Sequence, residues 1–303
     1  MSALPDTEFE FVSTGATKER APGPIGGPGA GRGSELSISP QEWIYALSPS
    51  EISELDDAMR QTWECDFLAI DKDAFSLSNL GPRLAYIKQE LLEGRGFVLI
   101  RGIPVSDYTL AESERIYWGI GAHLGTARSQ NAKGHLLGHV CNLGDQLDAF
   151  GNPGKVRVYQ TRVRQRFHTD STDFVGLMCL QNSKSGGESS ICSSVSVHDE
   201  MYRRDPDLWA TLYEPLWRDR RGEIPPGKCD YYPMAAFHYH AGKLSTIYAR
   251  DYMESCERFP ELPKLTDRQV AAFDLFDEIT ESAEFRLVMV FEPGDIQSLH
   301  NHQ

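Results

Sequence analysis

The 303-residue chain contains no apolar run near the ~20 residues that a membrane-spanning helix requires. Positive charge is scarce: 30 Lys and Arg stand against 44 Asp and Glu, a net charge of −14 at pH 7. No basic face is therefore left to neutralise nucleic-acid phosphates, and an anionic membrane surface is disfavoured. Six cysteines (Cys65, Cys141, Cys179, Cys192, Cys229, Cys256) are scattered without a C-x-x-C pair. That usage predicts reduced thiols in a cytoplasmic protein. The opening MSALPDTEFEF lacks a basic flank followed by an apolar segment, so no secretory signal is read there. The G-x-S-x-G elbow, the phosphate-binding P-loop and H-E-x-x-H are missing too, which removes the usual serine-hydrolase, nucleotide and zinc-protease readings.

What is present divides at about residue 37. The stretch from Thr14 to Ser37, with APGPIGGPGAGRGS, is rich in Gly and Pro. It predicts a flexible tail over 1–37, ahead of a single domain over 38–303. Helical spacing marks Ser50–Trp63, Pro82–Glu93, Leu110–Leu124, Val197–Arg204, Pro206–Tyr213 and Asp267–Ser282, the last capped by Thr266. Phe97–Ile100 reads as a buried strand. From His135 onward short apolar runs alternate with turn residues: Leu136–Val140, Val156–Gln160, Phe174–Gln181, Ser189–Val195, Ala235–His240, Leu244–Ala249, Phe285–Phe291 and Asp295–Leu299. This pattern predicts an α+β protein with a mainly β core, a jelly-roll double sheet with helices packed around it. Gly119 and Gly121 close a helical pattern instead of following a strand. They predict close helix packing more readily than a nicotinamide-binding turn.

One short stretch carries chemistry. His168 and Asp170 lie two residues apart, and on an extended strand such residues share a face. An imidazole nitrogen beside a carboxylate suits a non-haem Fe(II) centre with open positions. The same two side chains could equally form a core hydrogen bond. His238 and His240 share a spacing of the same kind, with packing or hydrogen bonding as the expected role. His123, His135, His139 and His198 are expected to be structural. Arg162, Arg164 and Arg166 make a local positive island that suits a carboxylate- or sulfonate-bearing substrate, or else are paired surface arginines.

Taken in order, the motifs resemble a known family. They are Gly96-Phe97-Val98-Leu99-Ile100-Arg101-Gly102, Tyr117-Trp118-Gly119-Ile120-Gly121, Gln130-Asn131, Tyr159-Gln160-Thr161, Phe167-His168-Thr169-Asp170, Gly176–Leu180, Gly186-Gly187-Glu188-Ser189 and Pro293-Gly294-Asp295-Ile296-Gln297. Their order and spacing over about residues 90–303 resemble the taurine-dioxygenase-like branch of Fe(II)/2-oxoglutarate oxygenases. The resemblance implies a double-stranded β-helix that holds iron by His168, Asp170 and a distal His. It also implies that Ser189 contacts the 2-oxoglutarate carboxylate, and that Gln130 and Asn131 lie near the mouth of the site. The expected chemistry uses Fe(II), 2-oxoglutarate and molecular oxygen. It oxidises an unactivated C–H bond of a small anionic or amino-acid-like substrate, with release of succinate and CO2. Arg164 and Arg166 are the expected substrate contacts.

The final stretch, Ser298-Leu299-His300-Asn301-His302-Gln303, departs from the family pattern. His300 and Asn301 fill an Asn-Asn position, which places the expected distal His and a 2-oxoglutarate-binding Arg past Gln303. The expectation is therefore a chain cut short. Within these residues, His300 or His302 is what could complete the triad, and His302 is the candidate metal ligand. The alternative is a catalytically incompetent binding or regulatory protein on the same fold.

Overall fold

The computed structural model describes residues 19–130, 134–141, 144 and 161–303. α1 (Gly33–Leu36) and β1 (Ile44–Ala46) lead into α2 (Pro49–Gln61). Ser48 accepts the Glu51 N–H while the Glu51 carboxylate accepts the Ser48 N–H, a reciprocal cap that fixes where α2 starts. α3 (Leu80–Glu93) ends at Gly94, β2 (Phe97–Arg101) follows, and α4 (Leu110–Leu124) starts from the same kind of cap, built by Thr109 and Glu112. The apolar stripes of these helices meet in one core. Leu55, Leu80, Leu84, Ile87, Leu91, Ile116 and Ile120 pack there with Ile100 of β2.

β3 (Phe174–Met178) and β10 (Ile296–His300) complete a four-stranded sheet of order β1-β2-β10-β3. β1 runs parallel to β2, while β10 is antiparallel to both of its neighbours, with Leu299 opposite Phe97 on one side and Val175 on the other. Three two-stranded ladders follow: β4 (Ser189–Cys192) with β9 (Arg286–Met289), β5 (Leu216–Asp219) with β6 (Tyr231–Met234), and β7 (Phe237–His240) with β8 (Lys243–Thr246). α5 (Ser194–Arg204), α6 (Pro206–Thr211), α7 (Arg250–Glu254) and α8 (Asp267–Glu281) accompany them. A second core gathers Val197, Met201, Phe237, Tyr248, Phe273 and Phe276. Among the described residues no helix is long and apolar enough to cross a membrane.

Three expectations need correction. The described part of the Gly/Pro-rich segment, 19–37, is packed against the domain. Ala21 is buried, the Ile25 and Gly26 N–H groups donate to the Asp199 carboxylate, and Gly33 and Ser34 donate to the carbonyls of Phe285 and Glu284. Small residues permit that approach, since a Cβ on Gly33 would lie 1.8 Å from the Arg286 carbonyl oxygen. Next, 136–140 forms no strand, while 156–160 lies outside the described residues. Finally, His168 and Asp170 are not on a ladder strand: 164–173 is irregular backbone that runs into β3.

Gly119 sits inside α4, where an added Cβ would come within 2.4 Å of the Phe75 ring. The glycine is there for helix packing, as its position within a helical pattern predicts, and it opens no nucleotide-binding turn.

Candidate active site

The segment 168–170 gets from tertiary hydrogen bonds the order that a ladder would otherwise supply. The Thr169 N–H donates to the Tyr248 carbonyl at 2.7 Å, and the Tyr248 N–H donates back to Thr169 Oγ1 at 2.9 Å. Tyr248 is anchored in turn, stacked on Phe276 at 3.9 Å between centroids and donating its hydroxyl to Asp277. Burial raises the Tyr248 phenol pKa well above its ordinary value, so it stays a donor. On the other flank the Asp170 N–H donates to Asn301 Oδ1 at 2.8 Å.

Held in this way, His168 Nε2 and Asp170 Oδ1 stand 3.5 Å apart. His168 Nδ1 lies 2.8 Å from the Arg166 carbonyl oxygen, an acceptor only, so Nδ1 carries the proton and Nε2 presents its lone pair. The Gln165 amide nitrogen, 3.0 Å from Nε2, donates to that lone pair. Burial acts first against charge on the ring, but the Asp170 carboxylate, the Arg166 carbonyl and Asp251 outweigh it and raise the His168 pKa. Two lone-pair donors facing each other in a field that favours positive charge make a fitting half of an iron site.

The described residues do not supply the other half: no third His, Cys, Asp or Glu joins a metal-holding group. His302, the candidate third ligand, forms no metal-holding group with His168 and Asp170. β10 ends at His300, the chain turns, and His302 Nδ1 meets the Thr246 carbonyl at 3.2 Å, while its own carbonyl accepts the Thr246 N–H. His300 sets its ring edge-on to Phe174 and bonds Gln303, and burial lowers its pKa. His238 bonds the Ala235 carbonyl, and burial lowers its pKa too. His198 is fully buried between Asp199 and Tyr213, each at 2.8 Å, a satisfied structural histidine.

A wide cleft runs past Tyr117, His168, Phe174, Ser189 and His300. Ser189, at the start of β4, donates its hydroxyl to Gln297 Oε1 at 3.1 Å. That bond uses its one proton, so the oxygen turns lone pairs toward the cleft, and contact with a carboxylate requires the hydroxyl to rotate. Two arginines of the positive island are paired: Arg164 bonds both oxygens of Glu281 at 2.9 and 2.6 Å, and Arg166 pairs with Asp251 and Glu254 at 3.4 Å. Gln130 lies in the loop after α4. Its N–H donates to the His135 carbonyl and its amide to the Arg128 carbonyl, while Asn131 lies outside the described residues.

Sequence reasoning missed Gln165, Tyr248, Gln297 and the role of Asn301. Gln165 was within reach, because a donor three residues before a metal-type His is a recognisable partner. The other three come from 79 to 131 residues away in the chain and carry no local mark.

Comparison with known proteins identifies the family. The profile described as "Taurine catabolism dioxygenase TauD, TfdA family" matches residues 61–303. FR-33289 synthase of Streptomyces rubellomurinus is 32% identical over 264 residues, covering 84% of this chain and 75% of that protein. A taurine hydroxylase-like protein of Stachybotrys chartarum is 25% identical over 270 residues, 86% of this chain and 68% of that one. In fold the chain is similar to an asparagine oxygenase, solved with Fe(II), 2S,3S-3-hydroxyasparagine and succinate. That likeness has a TM-score of 0.67 at 14% identity, with 86% of this chain and 85% of that one covered. It is also similar to the non-heme iron oxygenase OrfP, solved with Fe, succinate and (3S)-hydroxy-L-Arg, with a TM-score of 0.60 at 14% identity and 86% of both chains covered. The chain belongs to the taurine catabolism dioxygenase TauD, TfdA family, and is an Fe(II)/2-oxoglutarate-dependent oxygenase.

Proposed function

We propose that the protein oxidises an unactivated C–H bond of a small amino-acid-like substrate, using iron held by His168 and Asp170. The observation that carries this reading is the 3.5 Å approach of His168 Nε2 to Asp170 Oδ1, with Nδ1 tied to a carbonyl so that Nε2 keeps its lone pair. Bound Fe(II), 2-oxoglutarate and dioxygen supply the oxidant for such a bond, with release of succinate and CO2. The chain's own residues bind and orient. Gln165 would release Nε2 to a bound metal, Ser189 would turn its hydroxyl from Gln297 to a 2-oxoglutarate carboxylate, and the cleft would place the substrate beside the pair. The four-stranded sheet and the three ladders are, on this reading, parts of one double-stranded β-helix.

The amino-acid class is supported by the named ligands of the asparagine oxygenase and OrfP structures. Arg164 and Arg166 are paired with acids, so serving as substrate contacts would require them to exchange those exposed partners; Gln130 would line the mouth. The test is succinate formation from 2-oxoglutarate with Fe(II) and oxygen over a panel of free amino acids. Substrate-dependent succinate that disappears in His168→Ala supports the reading, and succinate that persists in His168→Ala contradicts it.

The second reading, a binding protein without turnover, draws on the missing third ligand among the described residues. It predicts 2-oxoglutarate or amino-acid binding with no oxygen consumption.

A further inference from the structure

Asn301 follows the last residue of β10 and is buried, 8% exposed. Its N–H donates to the Asp173 carbonyl at 2.8 Å, carrying the pairing of β10 one residue past His300 opposite Phe174. The side chain then folds back over 170–172. Oδ1 accepts the Asp170 N–H at 2.8 Å, and Nδ2 donates to the carbonyls of Asp170 at 2.6 Å and Thr172 at 2.8 Å.

Both main-chain polar groups of Asp170 thus end on one amide 131 residues away. Three bonds of this kind require an acceptor and two N–H donors on a short, planar group. Aspartate has no donor, serine has a single proton, and glutamine sets its amide one methylene further out. Segment 168–170 has no ladder of its own, so this amide and the Thr169–Tyr248 bonds are what set the direction of the Asp170 side chain.

We propose that Asn301 is a positioning residue for the metal. It fixes the backbone of Asp170 so that the carboxylate remains opposite His168 Nε2, a role that rests on reading His168 and Asp170 as iron ligands. Asn301 acts through Asp170, whose main-chain N–H and carbonyl it holds. Outer partners of this kind typically change metal affinity by about 10–100-fold when removed.

The experiment compares wild type with His168→Ala, Asn301→Ala, Asn301→Asp and Ser194→Ala. Asn301→Asp has almost the shape of the native residue and guards against a misfolded alanine variant. Ser194 holds the same chain turn, through the carbonyls of His302 and Gln303, without touching Asp170. Two quantities are read: amide deuterium exchange of 168–173 in metal-free protein, and Co(II) affinity from its visible absorption. The expected result is faster exchange at 168–173 and roughly tenfold or greater weakening of Co(II) binding in both Asn301 variants. Ser194→Ala should show neither change. Unchanged exchange in both Asn301 variants overturns the proposal, and so does faster exchange with undiminished Co(II) affinity, or an equal loss in Ser194→Ala. The comparison of wild type with His168→Ala reads the metal site alone. Co(II) binding that does not depend on His168 overturns that reading and the positioning role with it, whatever the exchange data show.

Discussion

Arg101 and Asp295 form a two-pronged ion pair, with Nε and Nη2 of the guanidinium 2.9 and 2.7 Å from the two carboxylate oxygens. The Asp295 side chain is fully buried, and Arg101 keeps only 27% exposure. The pair joins the end of β2 to the turn that feeds β10, and so ties together the sheet's two inner strands. Gly294 makes the turn: its φ is +92°, and a Cβ there would sit 1.8 Å from the Ile103 carbonyl oxygen. Removing Arg101 leaves a buried carboxylate without its partner, which costs about 3–5 kcal/mol. Arg101→Met should therefore lower the urea midpoint strongly with little change in slope. A midpoint close to wild type would mean that the pair contributes little.

Gly119 tests the packing of α4. Alanine is the better helix former, by about 1 kcal/mol over glycine. Here, however, its methyl would press on the fully buried Phe75 ring. Overpacking of that kind costs about 1–3 kcal/mol. Gly119→Ala should melt at a lower temperature than wild type; a higher melting temperature would show that Phe75 can move aside.

Glu200 gives the protein a defined acid limit. Hydrogen bonds from Arg203, opposed by burial and helped by Arg204, hold its carboxyl at about 2. The folded-state pKa lies below the ordinary 4.5, so the ionised group stabilises the fold at pH above that value. The contribution is lost as pH falls from there toward about 2. Unfolding free energies of wild type and Glu200→Gln should differ most at neutral pH and converge as pH approaches about 2. A difference that stays constant down to that pH would contradict this assignment.

Arg164 and Glu281 are well exposed, at 66% and 35%. Pairs of that kind contribute roughly 0–1 kcal/mol. Arg164→Ala should therefore change the unfolding free energy by less than about 1 kcal/mol. It should also leave the KM of any substrate found by succinate release within about twofold. A large rise in KM would return Arg164 to the substrate site.

Much of this architecture is legible in the chain itself. The helical stripes of Leu55, Leu84, Ile87 and Ile116 do face one core, and Phe97–Ile100 and Asp295–Leu299 fall on real strands. β1, β5 and β6 escape such a reading because they are three or four residues long and carry Tyr, Arg, Asp or Pro in place of a clean alternation. The His168–Asp170 approach is legible as a spacing, but its cause is not. Period-2 geometry anticipates a strand, whereas the side chains meet on irregular backbone that hydrogen-bonds Tyr248 and Asn301. The charge on Arg164 and Arg166 is visible in sequence, but the acids that neutralise it lie 85 to 117 residues downstream.

In the proposed site, His168 and Asp170 hold the iron to which 2-oxoglutarate binds. Its most direct test is anaerobic addition of Fe(II) and 2-oxoglutarate, read as the visible charge-transfer band of the chelated metal. The expected result is a band in the wild-type protein that is absent from His168→Ala and from Asp170→Ala. A band that persists in both variants would place the iron elsewhere and contradict that assignment.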